Sequence, residues 1–224
     1  MKKGTRLYIN ITNHCNLNCP FCCMYSGTDK RTFMSFPVYR SIIDHTEGLF
    51  ELQLEGGEPL LHPKLFLFLE YAVATKHCMK IILLTNGMEL ESVYKRLMEL
   101  HENYKIPILI KVSINYYILM QNPNHLKMLQ ALYSGIKSIE GFELACNVRK
   151  RKDADDEMEA LLERFGLVDI SNVYYLQAYG KLTGSDYEQP VIVQNIENWK
   201  LYASDGTCFG TDLIGRSEHE RELL

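Results

Sequence analysis

Residues 7–22 read LYINITNHCNLNCPFC. LYINIT is a short strand-like run, and the loop after it carries Cys15, Cys19 and Cys22 in the spacing C-x3-C-x2-C. Three thiolates on so tight a loop reach three corners of a compact metal cluster but cannot close a four-ligand site. Iron–sulfur cubes and zinc both take cysteine thiolate, so the loop alone leaves the two open. A ligand set that stops at three implies an open metal position, and open positions do chemistry.

Outward from this loop, strand-like and helix-like segments alternate. The strands read near Leu7 to Thr12, Leu49 to Glu55, Lys80 to Thr85, Ile108 to Asn115, Phe142 to Arg149 and Val173 to Tyr179. Helical patterns lie between them. Ser35 precedes FPVYRSIIDH, Pro63 opens KLFLFLEYAVATK, Asn122-Pro123 opens NHLKMLQALYSGI and Asp153 opens DADDEMEALLERF. Each start puts a capping side chain, or a proline without a donor, where helix N–H groups lack partners. MELESVYKRLMELHENY adds a helix by its apolar spacing. Six β-α units in series imply parallel strands with right-handed crossovers. The expected fold is α/β, a partial (β/α)6 TIM-like barrel over residues 1–180. A short C-terminal extension, 181–224, is expected to cover its open side and the substrate site.

A closed parallel barrel fills its interior with branched apolar residues, but several of these strands are polar on one face. Lys111, Ser113 and Asn115 alternate with Val112 and Ile114; Asn147 and Arg149 alternate with Cys146 and Val148; Gln177 and Tyr179 flank Ala178. Parallel strands are normally covered by helices outside, so the polar face points to a lumen that holds a polar ligand.

The bulk composition narrows the function classes. The 224 residues carry a formal net charge of −4, which gives no support for a binder of nucleic-acid duplexes. Seven cysteines are an odd number and no secretory signal precedes Met1-Lys2-Lys3, so a disulfide framework is not expected and a reducing cytoplasm is. The longest apolar run, IPILIKVSI, is interrupted by Lys111 and reads as a strand, not a membrane span.

After the cysteines comes LEGGEPLLHP, with Gly56, Gly57, Glu58 and Pro59 at the end of the second strand; LLTNGM ends the third and KVSIN the fourth. Cysteine loop and GGEP, one β-α unit apart, resemble the radical S-adenosylmethionine (radical SAM) superfamily of the C-x3-C-x2-C type. The resemblance spans about residues 5 to 180. It implies a [4Fe–4S] cluster on Cys15, Cys19 and Cys22, with one iron left for the amino and carboxylate groups of SAM. It implies that the segment of Gly56, Gly57 and Glu58 receives the SAM amino group. Ser113 and Asn115 correspond to contacts with the SAM ribose or carboxylate, with Asn147 and Arg149 as further candidates and Phe21 packing against cluster or adenine. The implied reaction is reductive cleavage of SAM to a 5′-deoxyadenosyl radical that abstracts a hydrogen atom from substrate. An external electron donor such as flavodoxin or ferredoxin is implied with it.

The other cysteines read as structural. Cys23 adjoins a ligand, Cys78 ends a helix and Cys146 lies on an outward strand face. Cys208 follows an Asp205-Gly206 hairpin signal and is a candidate hydrogen-donor thiol; no further cysteines follow it to build an auxiliary cluster. The basic run Arg149-Lys150-Arg151-Lys152 is answered by the acidic residues that follow. The expected substrate is a small polar metabolite or nucleotide. Peptide or protein side-chain modification and glycyl-radical activation are the enzymatic alternatives, and a zinc-binding module is the non-enzymatic one.

Overall fold

The computed structural model of the protein describes residues 5–182 and 198–223. Of the expected extension, residues 183–197 and 224 lie outside the described residues. Seven strands make one open sheet: β1 (Thr5–Thr12), β2 (Phe50–Gly56), β3 (Cys78–Thr85), β4 (Ile108–Asn115), β5 (Phe142–Lys150), β6 (Ser171–Tyr175) and β7 (Trp199–Tyr202). Their spatial order is β6-β5-β4-β3-β2-β1-β7, and every neighbouring pair is parallel. The order follows from β-α crossovers of one hand, each laying a new strand beside the last. β7 breaks the series by returning to the far edge and pairing with β1.

The helices are α1 (Phe36–Asp44), α2 (Leu65–Ala74), α3 (Leu90–Tyr104), α4 (Tyr116–Gln121), α5 (His125–Ile136), α6 (Met158–Arg164) and α7 (Leu213–Glu222). Ser35 caps α1, accepting from the Val38 N–H. The core lies on one face of the sheet, where Leu7, Ile9, Leu52, Leu54, Ile81 and Ile110 are fully buried against helix residues such as Tyr39, Phe68 and Leu129. Burying side chains of this size stabilises by roughly 1.5–3 kcal/mol each.

Several expected boundaries move. Cys78 begins β3 and does not end a helix. α6 starts at Met158 rather than near Asp153, because Asp155 is drawn back to the Arg151 N–H and guanidinium and holds the chain in a turn. β6 stops at Tyr175, so Gln177 and Tyr179 lie beyond it; in register with Asn147 and Arg149 stand Asn172 and Tyr174. The strand ends there because the Leu176 N–H makes the last bond to the β5 edge and the Tyr179 N–H turns back to Gln177. Neither β7 nor α7 has a sequence pattern that marked it beforehand. No helix among the described residues is long and apolar enough to cross a membrane.

Candidate active site

All the singled-out motifs meet at the carboxyl ends of the strands, the edge where open α/β sheets bind ligands. The cysteine loop leaves β1 and is pinned on both sides. The Cys15 N–H donates to the Gly27 carbonyl at 3.0 Å, and the Cys22 N–H to that of Cys19 at 3.2 Å. Cys15 is buried, Cys19 and Cys22 are half-buried, and none is in a disulfide. The three thiols are near enough to act on one another's charge, and burial pushes both Cys15 and Cys19 up to about 12. Such thiols ionise only against the positive charge of a metal, which is what an iron–sulfur cluster supplies. Three thiols on one loop are a donor set that an iron–sulfur cluster takes.

GGEP is bonded to this loop through the backbone. The Gly57 N–H donates to the Thr12 carbonyl at 2.7 Å and the Glu58 N–H to that of His14 at 2.8 Å. A Cβ on Gly57 would stand 2.1 Å from the His14 carbonyl oxygen, and one on Gly56, at φ +134°, 2.3 Å from that of Thr12. What the paired glycines admit is the cysteine loop itself, the first body to come so close.

Glu58 is wholly buried and burial raises it to about 7, against the opposing effect of its hydrogen bonds. Its Oε1 accepts from the Leu60 N–H at 3.0 Å and the Thr85 hydroxyl at 2.7 Å; its Oε2 accepts from the Asn86 N–H at 2.7 Å. The carboxylate thus ties the end of β2 to the end of β3. Asn86 continues the tie, its Nδ2 donating to Asn16 Oδ1 at 2.8 Å and lying 3.6 Å from Cys15 Sγ. Cysteine loop, GGEP and TNG form one hydrogen-bonded unit.

The radical SAM superfamily pattern matches residues 9–117, from within β1 to the start of α4. This stretch of the chain is a radical SAM domain. Its cofactors are those of the family, a [4Fe–4S] cluster and S-adenosylmethionine. The GTP 3′,8-cyclase of Campylobacter jejuni subsp. doylei is 27% identical over 205 residues, covering 82% of this chain and 60% of the cyclase. Two solved structures share the fold. The anSMEcpe structure with bound AdoMet is 18% identical, with a TM-score of 0.61 over 83% of this chain and 55% of that one. Streptococcus suis SuiB bound to precursor peptide SuiA is 16% identical, with a TM-score of 0.57 over 86% and 43%. The chain thus spans between 43% and 60% of the length of these relatives.

The remaining residues of this radical SAM domain divide by face. Ser113 and Asn147 stand opposite one another on β4 and β5, and their side chains make no hydrogen bond among the described residues. Asn115 is committed to the backbone, its Oδ1 capping α4 at the Ile118 N–H, 2.9 Å away. Phe21 packs on Tyr116 with ring centroids 5.5 Å apart. Of the basic run, Lys150 pairs with Glu159 at 3.0 Å and Arg151 with Asp155 at 2.8 Å, while Arg149 has no carboxylate partner among the described residues. Cys208 is exposed and bridges antiparallel to Tyr202, which packs against the apolar core on the other side of the sheet from Arg149.

Three groups escaped sequence reasoning. Tyr179 lies beside Cys23, and Gly180 packs on its backbone, where a Cβ would stand 2.5 Å from Cys23 Cα. The Lys181 N–H donates to the Cys22 carbonyl at 3.1 Å. α7 lies over the polar face of β1 and β2: Arg216 Nη2 donates to Glu55 Oε1 at 2.8 Å, and Glu220 Oε1 accepts from Asn10 Nδ2 at 3.0 Å. The Ser217 hydroxyl reaches the Cys23 carbonyl. TNG offered a hint of Asn86, but nothing in the weakly apolar LIGRSEHERE marked α7 as a wall of the site.

Proposed function

We propose that the chain is a radical SAM enzyme acting on a small polar metabolite or nucleotide, with its cluster on Cys15, Cys19 and Cys22. The observation that carries this is the bonding of the GGEP backbone to the three-cysteine loop. When bound, the cluster and SAM supply one-electron reductive cleavage and a hydrogen-abstracting radical. The chain's own part is positioning. Glu58 spends most of its acceptor capacity on Leu60, Thr85 and Asn86, so the SAM amino group meets the backbone carbonyls of Gly56 and Gly57 and at most the free lone pair of Glu58 Oε2. The unpartnered side chains of Ser113 and Asn147 offer polar contacts to the rest of SAM. The Asn115 cap and the Phe21–Tyr116 pair shape the wall beside them. The polar side of the sheet, roofed by α7, takes the substrate, and the extension beyond residue 180 acts as its cover.

The nucleotide reading draws support from the cyclases, which align over most of this chain. The test is anaerobic reconstitution with iron and sulfide, then assay for 5′-deoxyadenosine with dithionite and SAM. Cys15→Ala, Cys19→Ala and Cys22→Ala are each expected to abolish it. A colourless protein that retains zinc and leaves SAM intact would overturn the reading. GTP is the first substrate to add; transfer of deuterium from labelled GTP into 5′-deoxyadenosine would support a nucleotide substrate, and transfer only from a peptide would replace it.

A further inference from the structure

Arg216 is an almost fully buried cation, its side chain 3% exposed. Among the described residues only its Nη2 is used, on Glu55, and Nε and Nη1 have no hydrogen-bond partner. Arg149, at the end of β5, also buries an Nη1 without a partner, while its guanidinium sits 4.5 Å from the Tyr174 ring centroid. The Ser217 hydroxyl, one residue on from Arg216, bonds to the Cys23 carbonyl, and Gly180 packs on the Cys23 backbone just past the strand that pairs with Arg149, which brings both arginines to the side of Cys23.

A buried donor left unmade costs about 1–3 kcal/mol, and more for a charged group. Three such nitrogens at one spot are a large cost with no structural return, since Arg216 would anchor α7 to Glu55 through Nη2 alone. Charge points the same way. On the polar side of the sheet Lys111, Arg149 and Arg216 face Glu55 and Glu220, and Glu220 is taken up by Asn10 and by the Ser204 N–H and hydroxyl. This leaves a local positive excess in a chain whose net charge is −4. Guanidinium forks are suited to the paired oxygens of a carboxylate or phosphate.

We propose that Arg149 and Arg216 together hold an anionic group of the substrate, a carboxylate or a phosphate, beside Cys22 and Cys23. The assignment rests on the radical SAM reading and adds to it a substrate class and a role for α7. Asn10 Oδ1, buried and equally unpartnered, supplies a neighbouring acceptor for a substrate hydroxyl or amine.

The test uses the cluster-loaded chain saturated with SAM, titrated by calorimetry with inorganic phosphate and, separately, with acetate. At least one anion is expected to bind, with Kd raised tenfold or more in Arg149→Gln and in Arg216→Gln and largely restored in Arg149→Lys. SAM affinity is measured beside each anion titration. Tighter phosphate binding identifies a phosphorylated substrate, and tighter acetate binding a carboxylate. No binding of either anion, binding unchanged in both variants, or loss of SAM in place of the added anion would each overturn the proposal. Should Arg216→Gln fail to fold, Arg149→Gln decides alone by the same readings. Wild-type SAM cleavage without anion binding sinks only this inference; anion binding through both arginines without SAM cleavage sinks only the radical SAM activity.

Discussion

Asn86 Nδ2 lies 3.6 Å from Cys15 Sγ, so the end of β3 touches a thiol 71 residues earlier in the chain. Hydrogen bonds to the sulfurs of an iron–sulfur cluster help set its potential. Asn86→Leu removes this one, the bond to Asn16 and the acceptor of the Met88 N–H, while leaving the backbone bond to Glu58. The variant is expected to keep its iron but show a lower cluster potential in an EPR-monitored titration, and slower SAM cleavage. An unchanged potential would show that the contact is only packing.

Glu58 is raised to about 7 chiefly by burial, so its folded state prefers the proton. Between about pH 4.5 and 7 the unfolded chain releases that proton first, and stability falls as pH rises, by on the order of 3 kcal/mol in all. Glu58→Gln lacks this slope, and its amide donors oppose those of Thr85 and Asn86 at a cost of about 1–3 kcal/mol. Urea unfolding of the two proteins is expected to show wild type ahead at pH 5 and the gap narrowing by pH 8. A gap that widens with pH would contradict the burial argument.

His62 carries the opposite sign. It is buried, its Nε2 lies 3.1 Å from the Met34 carbonyl and its Nδ1 accepts from the Lys64 N–H at 3.1 Å, which fixes the neutral ring with the proton on Nε2. Burial lowers it to about 4. Its contribution is complete above pH 6.5 and is lost as pH falls from there toward 4, on the order of 3 kcal/mol. The loss in wild type is expected to exceed that in His62→Gln across this window, measured as the difference in urea midpoint.

Glycines that admit backbone give the sharpest steric test. Gly57→Ala and Gly180→Ala push a methyl into the His14 carbonyl and the Cys23 backbone, and each is expected to cost several kcal/mol and the ability to retain iron. Gly135→Ala, on an exposed turn of α5 with nothing within 4 Å, is expected to gain about 0.5–1 kcal/mol. Iron content and thermal midpoint distinguish the three; a Gly57→Ala protein with full iron would refute the close approach.

The first six strands were legible because parallel strands in one sheet carry strong local signals: apolar residues alternate with Lys111, Ser113, Asn147 and Arg149, and runs of helical apolar spacing separate them, although of the expected helix starts only Ser35 supplies a side-chain cap. The cysteines and GGEP were legible because their chemistry depends on spacing within short segments. Less legible was the reason for that spacing, since the contact of Gly57 with His14 joins distant parts of the chain. β7 and α7 were illegible. β7 has four residues, too few for a pattern, and α7 buries Arg216, Ser217 and Glu220, residue types that otherwise mark a solvated face. Their burial is meaningful only once Glu55, Asn10 and Cys23 are beneath them.

The Ser217 hydroxyl bonds to a carbonyl 194 residues earlier, and Lys181 closes on Ser26 from 155 residues away. A chain made from its amino end therefore exposes the three cysteines long before their braces exist. On the ribosome the loop would be open to iron, to oxygen and to delivery proteins alike. Only when residues 199–222 have left the exit tunnel can β7 and α7 dock, so the loop gains these braces late in synthesis.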